Sequence, residues 1–472
     1  MSRGHDRLIA ELREKLGATV VVTDPDLIAP WLTDWRGRWT GKAAAMLQPG
    51  TREEVSTILA AANEAGVPLV PQGGNSSMVG GATPDQSGDM VILSLRRMKE
   101  IRAIDPETRQ CVVEAGMILA TLQDELAEVG LRLPLDLGAR GSATIGGLVS
   151  TNAGGTEVLR HGTMGEQVLG LEAVLADGSV IDTLSPLKKD NRGPRIDRMM
   201  IGGEGQFGVI TAVRLQLTAL PSDRATAWVG VASPQAALKL LRFCEQECDA
   251  VEGFELLPKD SLAAAEAVFD LRAPLDGDHD WQVLIEAKGE SEAGTLNEKL
   301  GSILAGAIEQ GLAQDAVLAQ SEAQAEAFWS IRHHLSDAEK RHYGMANSHD
   351  ISVPVDAMPA FLKEVRDRIE ADYPGAWVSG YGHLGDGNIH LHVRPMDRAS
   401  DDWRATEGAE IERKVHDMIV AHGGSISAEH GIGQMKRDEF ARLGEPARLA
   451  MLRALKQALD PKRILNPGKL IP

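Results

Sequence analysis

The sequence predicts a mixed helix and strand protein divided into two domains or three. Three observations lead there. At 472 residues the chain is longer than one hydrophobic core supports. Up to about residue 220, short β-branched runs alternate with glycine-dense loops. Beyond Pro221 glycine thins out until Gly380, and helical periodicities alternate with single strands.

The elements follow in order. Thr51-Arg-Glu-Glu54 is a capping box that starts a helix running to Gly66. Val67–Val70 then reads as a strand, and Pro71–Gly81 as a glycine loop. Val91–Leu95, Ile101–Ile104 and Cys111–Ala115 read as strands, Thr121–Val129 as a helix, and Val168–Ile181 as a hairpin turned at Asp177-Gly178. Further on, helices are expected over 234–248, 291–310, 322–342, 358–372, 402–422 and 445–459. Strands are expected over 228–231, 281–287, 349–355 and 377–393.

Composition narrows the function. The net charge of −19 argues against nucleic acid and anionic membranes, which need a basic footprint. No apolar run has membrane-spanning length and the N-terminus shows no signal pattern, so a cytoplasmic location is expected. Cys111, Cys244 and Cys248 make neither a disulfide framework nor a zinc knuckle and read as thiols without a role.

The chemistry concentrates late in the chain. His383, His390 and His392 surround Gly385-Asp-Gly-Asn388, and Glu429-His430 follows between Ser-Ile-Ser-Ala and Gly-Ile-Gly. Two imidazoles and one carboxylate form a common catalytic zinc ligand set that leaves a position open. His383, His390 and Glu429 can supply it, with His430 beside them as a base. If Gly385–Asn388 closes a hairpin, His383 faces His390 and Leu384 faces Ile389. His392 then shares the face of His390. The competing reading is ordinary core and surface histidines around a tight turn.

In the first half, Gly73-Gly74, Gly80-Gly81, Gly138, Gly141, Gly146-Gly147 and Gly154-Gly155 mark loops whose backbone N–H groups can form a nest for a pyrophosphate. Gly203-Glu-Gly-Gln-Phe-Gly208 satisfies the dinucleotide fingerprint only as a string. The β-branched run after it predicts a strand where that fingerprint needs a helix.

Together, Pro71–Gly81, Leu135–Ser142, Ile145–Gly147, Thr151–Gly155, Gly203–Ile210, both histidine segments and Leu465–Lys469 resemble the FAD-linked oxidase and dehydrogenase family of the vanillyl-alcohol-oxidase fold, from about residue 40 onward. The histidine segments are most similar to its D-2-hydroxyacid dehydrogenase branch, which includes D-2-hydroxyglutarate and D-lactate dehydrogenases. The resemblance implies an α+β fold. Residues 1–40 form a helical or irregular lead, 41–220 a two-subdomain PCMH-type FAD-binding domain, and 221–472 an α+β substrate and metal domain with an antiparallel sheet. Its tail, 460–472, returns to the FAD domain.

Carried over by position, Gln72, Gly73, Gly74, Asn75, Ser76, Gly141 and Ser142 would hold the pyrophosphate and ribityl region. Gly80, Ile145, Gly146, Gly147, Thr151, Asn152, Ala153 and Asn466 would complete the site, and Val209 and Ile210 would run beside the flavin. The first glycine loop has no His or Cys, so the FAD is expected to be non-covalent.

The resemblance also implies roles for the late motifs. A divalent metal, with zinc the best match to the donors, would bind at His383, His390 and Glu429 and acidify the substrate's hydroxyl. His430 would take the proton as hydride leaves for flavin N5. Arg332 would grip the substrate carboxylate and Ser336 donate a hydrogen bond. Ser348 stands where the hydroxyglutarate branch carries a lysine, and His392 where it carries an asparagine. Both positions bear on the substrate's distal group, so the particular D-2-hydroxyacid stays open. Electrons would leave the reduced flavin for an electron-transfer flavoprotein, a quinone or another acceptor, and a homodimer is the assembly the resemblance implies. The alternatives are an FAD oxidase using oxygen and a flavin-free, metal-dependent hydrolase.

Overall fold

The computed structural model describes residues 3–187, 189–396 and 401–472, and divides them into two compact units. The first contains Met1–Gly154, Gly162–Ala219 and Glu429–Pro472, the second Gly155–His161 and Leu220–Ala428. Among the described residues no helix is long and apolar enough to cross a membrane.

The first unit holds a four-stranded and a five-stranded sheet. In the four-stranded sheet, Ala43–Leu47, Met90–Ser94 and Leu69–Gln72 pair in parallel, and Val21–Val22 adds an antiparallel edge. The antiparallel sheet runs Ile101–Asp105, Gln110–Glu114, Val209–Gln216, Val168–Val174, Val180–Asp182. The helix expected after Thr51 is Arg52–Ala65: Thr51 Oγ1 accepts from Glu54 N, and Gly66, at φ 65°, closes it.

Residues before 40 are part of this unit rather than a separate lead. Helix Arg3–Leu16 buries Leu8 and Leu12 against Val55, Ile58 and Leu59 in the same core. Each such leucine contributes about 1.5–3 kcal/mol. The chain also rejoins this unit at Glu429, earlier than residue 460. Its last stretch is tied in where Leu69 N donates to Ile464 O at 2.7 Å.

Gly146 and Gly147 lie in a helix, Ile145–Thr151, and not in a loop. A Cβ on Gly146 would come within 2.6 Å of the Ala115 Cβ, so glycine here permits close packing of helix on strand.

The second unit is built on a seven-stranded antiparallel sheet. In chain order its strands are β1 (Asp223–Val231), β2 (Val251–Pro258), β3 (Trp281–Gly289), β4 (Asp315–Leu318), β5 (Asn347–Ser352), β6 (Ala376–His383) and β7 (Asn388–Pro395). They lie side by side as β4-β1-β3-β2-β6-β7-β5. Its longer helices are α1 (Pro234–Glu247), α2 (Lys259–Phe269), α3 (Thr295–Glu309), α4 (Glu322–Tyr343), α5 (Met358–Asp372) and α6 (Glu407–Ala421). One face packs α1, α3, α5 and α6 over Val283, Ile285, Leu391 and Val393; the other carries α2 and α4 over Trp228, Leu284 and Tyr381.

Neither β2 nor α2 is among the elements the sequence predicts. All eight residues of β2 are buried, so Val-Glu-Gly-Phe-Glu-Leu-Leu-Pro shows no polar alternation to read. Near residue 406 a single predicted helix is interrupted, so that Asp401–Ala405 and α6 are separate.

All three cysteines are buried, and burial pushes the Cys111 and Cys244 thiols up to about 12. A neutral-pH thiol reagent should therefore label none of them in the folded protein and all three in denaturant. Rapid labelling of the native chain would contradict this packing.

Candidate active site

The histidine hairpin is formed by β6 and β7. Tyr381 pairs with His390 and Ser379 with His392, which places His383 opposite Asn388. The register is thus offset by two residues from one that opposes His383 to His390. Its cause is Asn388, which enters the strand: its side-chain amide donates to Asp350 Oδ1 at 3.1 Å and to Ile351 O at 2.9 Å. Asp386 Oδ1 accepts from Asn388 N at 2.9 Å, so the turn is Leu384–Gly387. A two-residue offset preserves the face. His383 and His390 are diagonal neighbours with ring centroids 5.4 Å apart and planes at 79°.

Carboxylates surround these imidazoles. Glu255, on β2, is the cross-strand partner of His383 and is fully buried. One of its oxygens meets His383 Nδ1, and the other accepts from Arg332 Nε at 2.6 Å. Beside Arg332 and His383 this carboxyl lies far below its usual range despite its burial. Its charge in turn raises His383 to about 9, against the opposing effect of burial. Asp350 is the cross-strand partner of His390. Asp386 is raised, by burial first and also by Glu255 and Asp350.

A carboxylate at Nδ1 fixes the imidazole's orientation and directs Nε2 outward, the arrangement that supports histidine ligands in metal sites. The donors therefore fit a divalent cation.

Helix α4 overlies the same face. Arg332, Ser336 and Glu339 are spaced as one stripe, with Arg332 5.1 Å above the Tyr381 ring. Glu339 is fully buried. Its Oε2 receives Arg394 Nη2 at 2.7 Å, lies 2.6 Å from His392 Nδ1, and accepts from Ser379 at 3.2 Å. The Ser261 hydroxyl completes this network, which holds Glu339 at about 2. Ser348 is exposed and directly opposite His392.

The first unit carries the cofactor candidates. A Cβ at Gly73 would meet Thr144 Oγ1 at 2.1 Å, and one at Gly74 would meet Ser142 O at 1.7 Å. Neither glycine leaves room for a side chain where the two loops meet. None of the N–H groups of Gly73, Gly74, Asn75 and Ser76 has an acceptor among the described residues, and the buried Gln72 Oε1, Thr144 Oγ1 and Asn466 Oδ1 lack partners. Four free donors in a glycine turn fit a pyrophosphate.

The other predicted residues hold the scaffold. Ile145, Ala153, Val209 and Ile210 lie in the core, Asn152 Oδ1 accepts from Gly165 N at 2.8 Å, and Thr151 Oγ1 donates to Gly147 O at 3.1 Å. Gly80, at φ 68°, lies against Trp39, while Asn466 Nδ2 ties Gly81 O to Glu204 O. Gly141 has open space around its α-carbon.

Glu429 and His430 open the last segment of this unit, both half-buried. Buried Glu204 positions the loop after them, accepting from Ile432 N at 2.7 Å and Gly433 N at 2.8 Å.

Comparison with known proteins decides the family. The FAD linked oxidases, C-terminal domain, matches residues 220–470, and an FAD binding domain matches residues 43–184. The chain belongs to the FAD-linked oxidase family. It is an FAD-linked oxidoreductase. A mitochondrial D-2-hydroxyglutarate dehydrogenase from Bos taurus is 37% identical over 454 residues, 96% of this chain and 81% of the relative's length. One from Arabidopsis thaliana is 37% identical over 466 residues, 98% of this chain and 81% of its own. p-Cresol methylhydroxylase with substrate bound shares the fold, with a TM-score of 0.77 at 17% identity, covering 99% of this chain and 97% of that one.

The expected cytoplasmic location does not stand, because these FAD-linked oxidase relatives are mitochondrial proteins. Lack of an apolar leader separates secreted from non-secreted chains but not cytosol from organelle.

Within this FAD-linked oxidase, Glu255, Glu339, Asp350, Asp386 and Glu204 are the site carboxylates that sequence reasoning missed. Glu255→Gln should lower the unfolding free energy by about 3 kcal/mol, because Arg332 and His383 would lose a buried counter-charge. Urea denaturation measures it; an unchanged midpoint would mean that the pair carries no stability.

Proposed function

We propose that this chain oxidises a D-2-hydroxyacid to the 2-oxoacid with the aid of a divalent cation, best matched by zinc, at His383, His390 and Glu429. The observation that carries this reading is the pair of imidazoles on one sheet face, with Glu255 behind His383 and Asp350 beside His390. Chain connectivity supports Glu429 as the third ligand: it follows Ala428, whose N–H donates to Asp350 O at 3.4 Å.

When bound, FAD supplies the hydride acceptor and the cation supplies the Lewis acidity that makes a hydroxyl easier to ionise. The residues do the rest. His430 takes the hydroxyl proton, on a loop that Glu204 holds. Arg332, oriented by Glu255, supplies positive charge for the substrate carboxylate, and Ser336 donates a hydrogen bond.

The 37% identity to D-2-hydroxyglutarate dehydrogenases makes a five-carbon dicarboxylate the first substrate to test. A second reading, a D-2-hydroxyacid with an uncharged tail, is favoured by the Ser348–His392 pair. Those residues present a neutral hydroxyl and an imidazole already engaged by Glu339.

A panel of D- and L-hydroxyacids added anaerobically to the FAD-loaded protein should bleach the flavin with D-enantiomers only. A colourless protein that takes up no FAD, or bleaching by L-acids alone, would sink the proposal. His430→Ala should cut turnover by about two orders of magnitude while FAD stays bound. Chelation should abolish activity and added zinc restore it; full activity without metal removes the cation from the reaction. Ser348→Lys should raise kcat/KM for D-2-hydroxyglutarate relative to D-lactate by about tenfold or more, the worth of one charge-assisted hydrogen bond. An unchanged ratio would take residue 348 out of substrate selection.

A further inference from the structure

The strand that carries Ser348 and Asp350 toward the candidate active site turns His349 to the opposite face of the sheet. There His349 meets α6, where Glu412 and His416 stand one turn apart. His349 is 4% exposed and His416 2%, and their rings lie 5.6 Å apart at 88°. One ligand atom from each of His349, Glu412 and His416 lies within 4.8 Å of the others.

We propose that His349, Glu412 and His416 form a second divalent-cation site, separate from His383 and His390, that binds zinc and fastens α6 to β5. Two imidazoles and one carboxylate are a zinc donor set, with water completing the tetrahedron. Ligand atoms about 2.1 Å from a tetrahedral zinc lie about 3.4 Å from one another, so closing the site shortens each separation by no more than about 1.4 Å. Glu412 and His416 are at i and i+4, and converge as helical neighbours do. Half-buried Glu412 leaves an approach from solvent to two enclosed imidazoles.

The surroundings make an anchor useful. His349 is cross-strand to Leu391, and the residues on either side of it are partners of His390 and His392. β5 is the last named strand of the sheet, and beyond β7 it is paired, among the described residues, only through an isolated bridge of Ser352 to Ser425 and a bond from Ala428 N to Asp350 O. A cation linking it to α6 steadies the strand that positions Ser348 and Asp350. This inference does not depend on the reaction proposed above.

The test counts zinc per chain by atomic emission after metal stripping and dialysis against zinc. His383→Ala/His390→Ala protein should still hold one equivalent, and adding His416→Ala should remove it. Glu412→Gln in the otherwise native chain should weaken zinc binding at this site at least tenfold by chelator competition. Zinc should raise the melting temperature of the native chain and of the double variant but not of the triple one. No zinc in the folded double variant, or as much zinc in the triple variant as in the double, overturns the proposal. If the multiple variants do not fold, His416→Gln alone decides it: one equivalent fewer than the native chain supports the site, and an equal count refutes it.

Discussion

The second unit is organised around the Glu255 carboxylate. It sits on a central strand with no exposed surface, joined on one side to Arg332 of α4 and on the other to His383 at the end of β6. Burying one unpaired carboxylate costs several kcal/mol, so this group is tolerable only with both partners in place. The consequence is geometric. Helix, central strand and hairpin are fixed to one another by a group that cannot relax, and the direction of the His383 ring follows from it. Tyr381, fully buried, fills the space between Arg332 and the two histidines of β7.

A second carboxylate repeats the device one step along the hairpin. Glu339 gathers His392, Arg394 and two serines, and Arg394 lies over Trp377 at 4.9 Å. The helix that carries Glu339 is the one that carries Arg332, two turns earlier. One helix therefore sets both ends of the face, and a shift in α4 would move the metal-binding candidate and the substrate-tail candidate together.

Much of the site was legible because its signals are local. Two histidines around a glycine turn imply a hairpin whatever its register, and face parity survives the two-residue offset, so the pair His383 and His390 was readable while its exact opposition was not. The helix at Thr51 was readable from its cap. Glu255 was not, because its strand is buried on both sides and leaves no alternation, and its partners are separated from it by 77 and 128 residues. Glu204 was hidden for the same reason: its role lies in two backbone N–H groups 228 and 229 residues away. Buried carboxylates are recognised by their counter-charges, and sequence separates the two.

Charge balance on this face points the same way as the ligand chemistry. Glu255, Glu339, Asp350 and Asp386 are four carboxylates, and Arg332 and Arg394 are two guanidinium groups, so with neutral imidazoles this set carries two negative charges more than positive. A low-polarity face does not hold such an excess without compensation. Protons offset part of it: the Glu255 charge raises His383 to about 9, and burial raises Asp386 in the same direction. Both shifts run toward added positive charge, which a divalent cation between His383 and His390 would also supply. Cation and protons are then competing solutions to one electrostatic requirement, and Glu255 sets that requirement by being a carboxylate that cannot reach water.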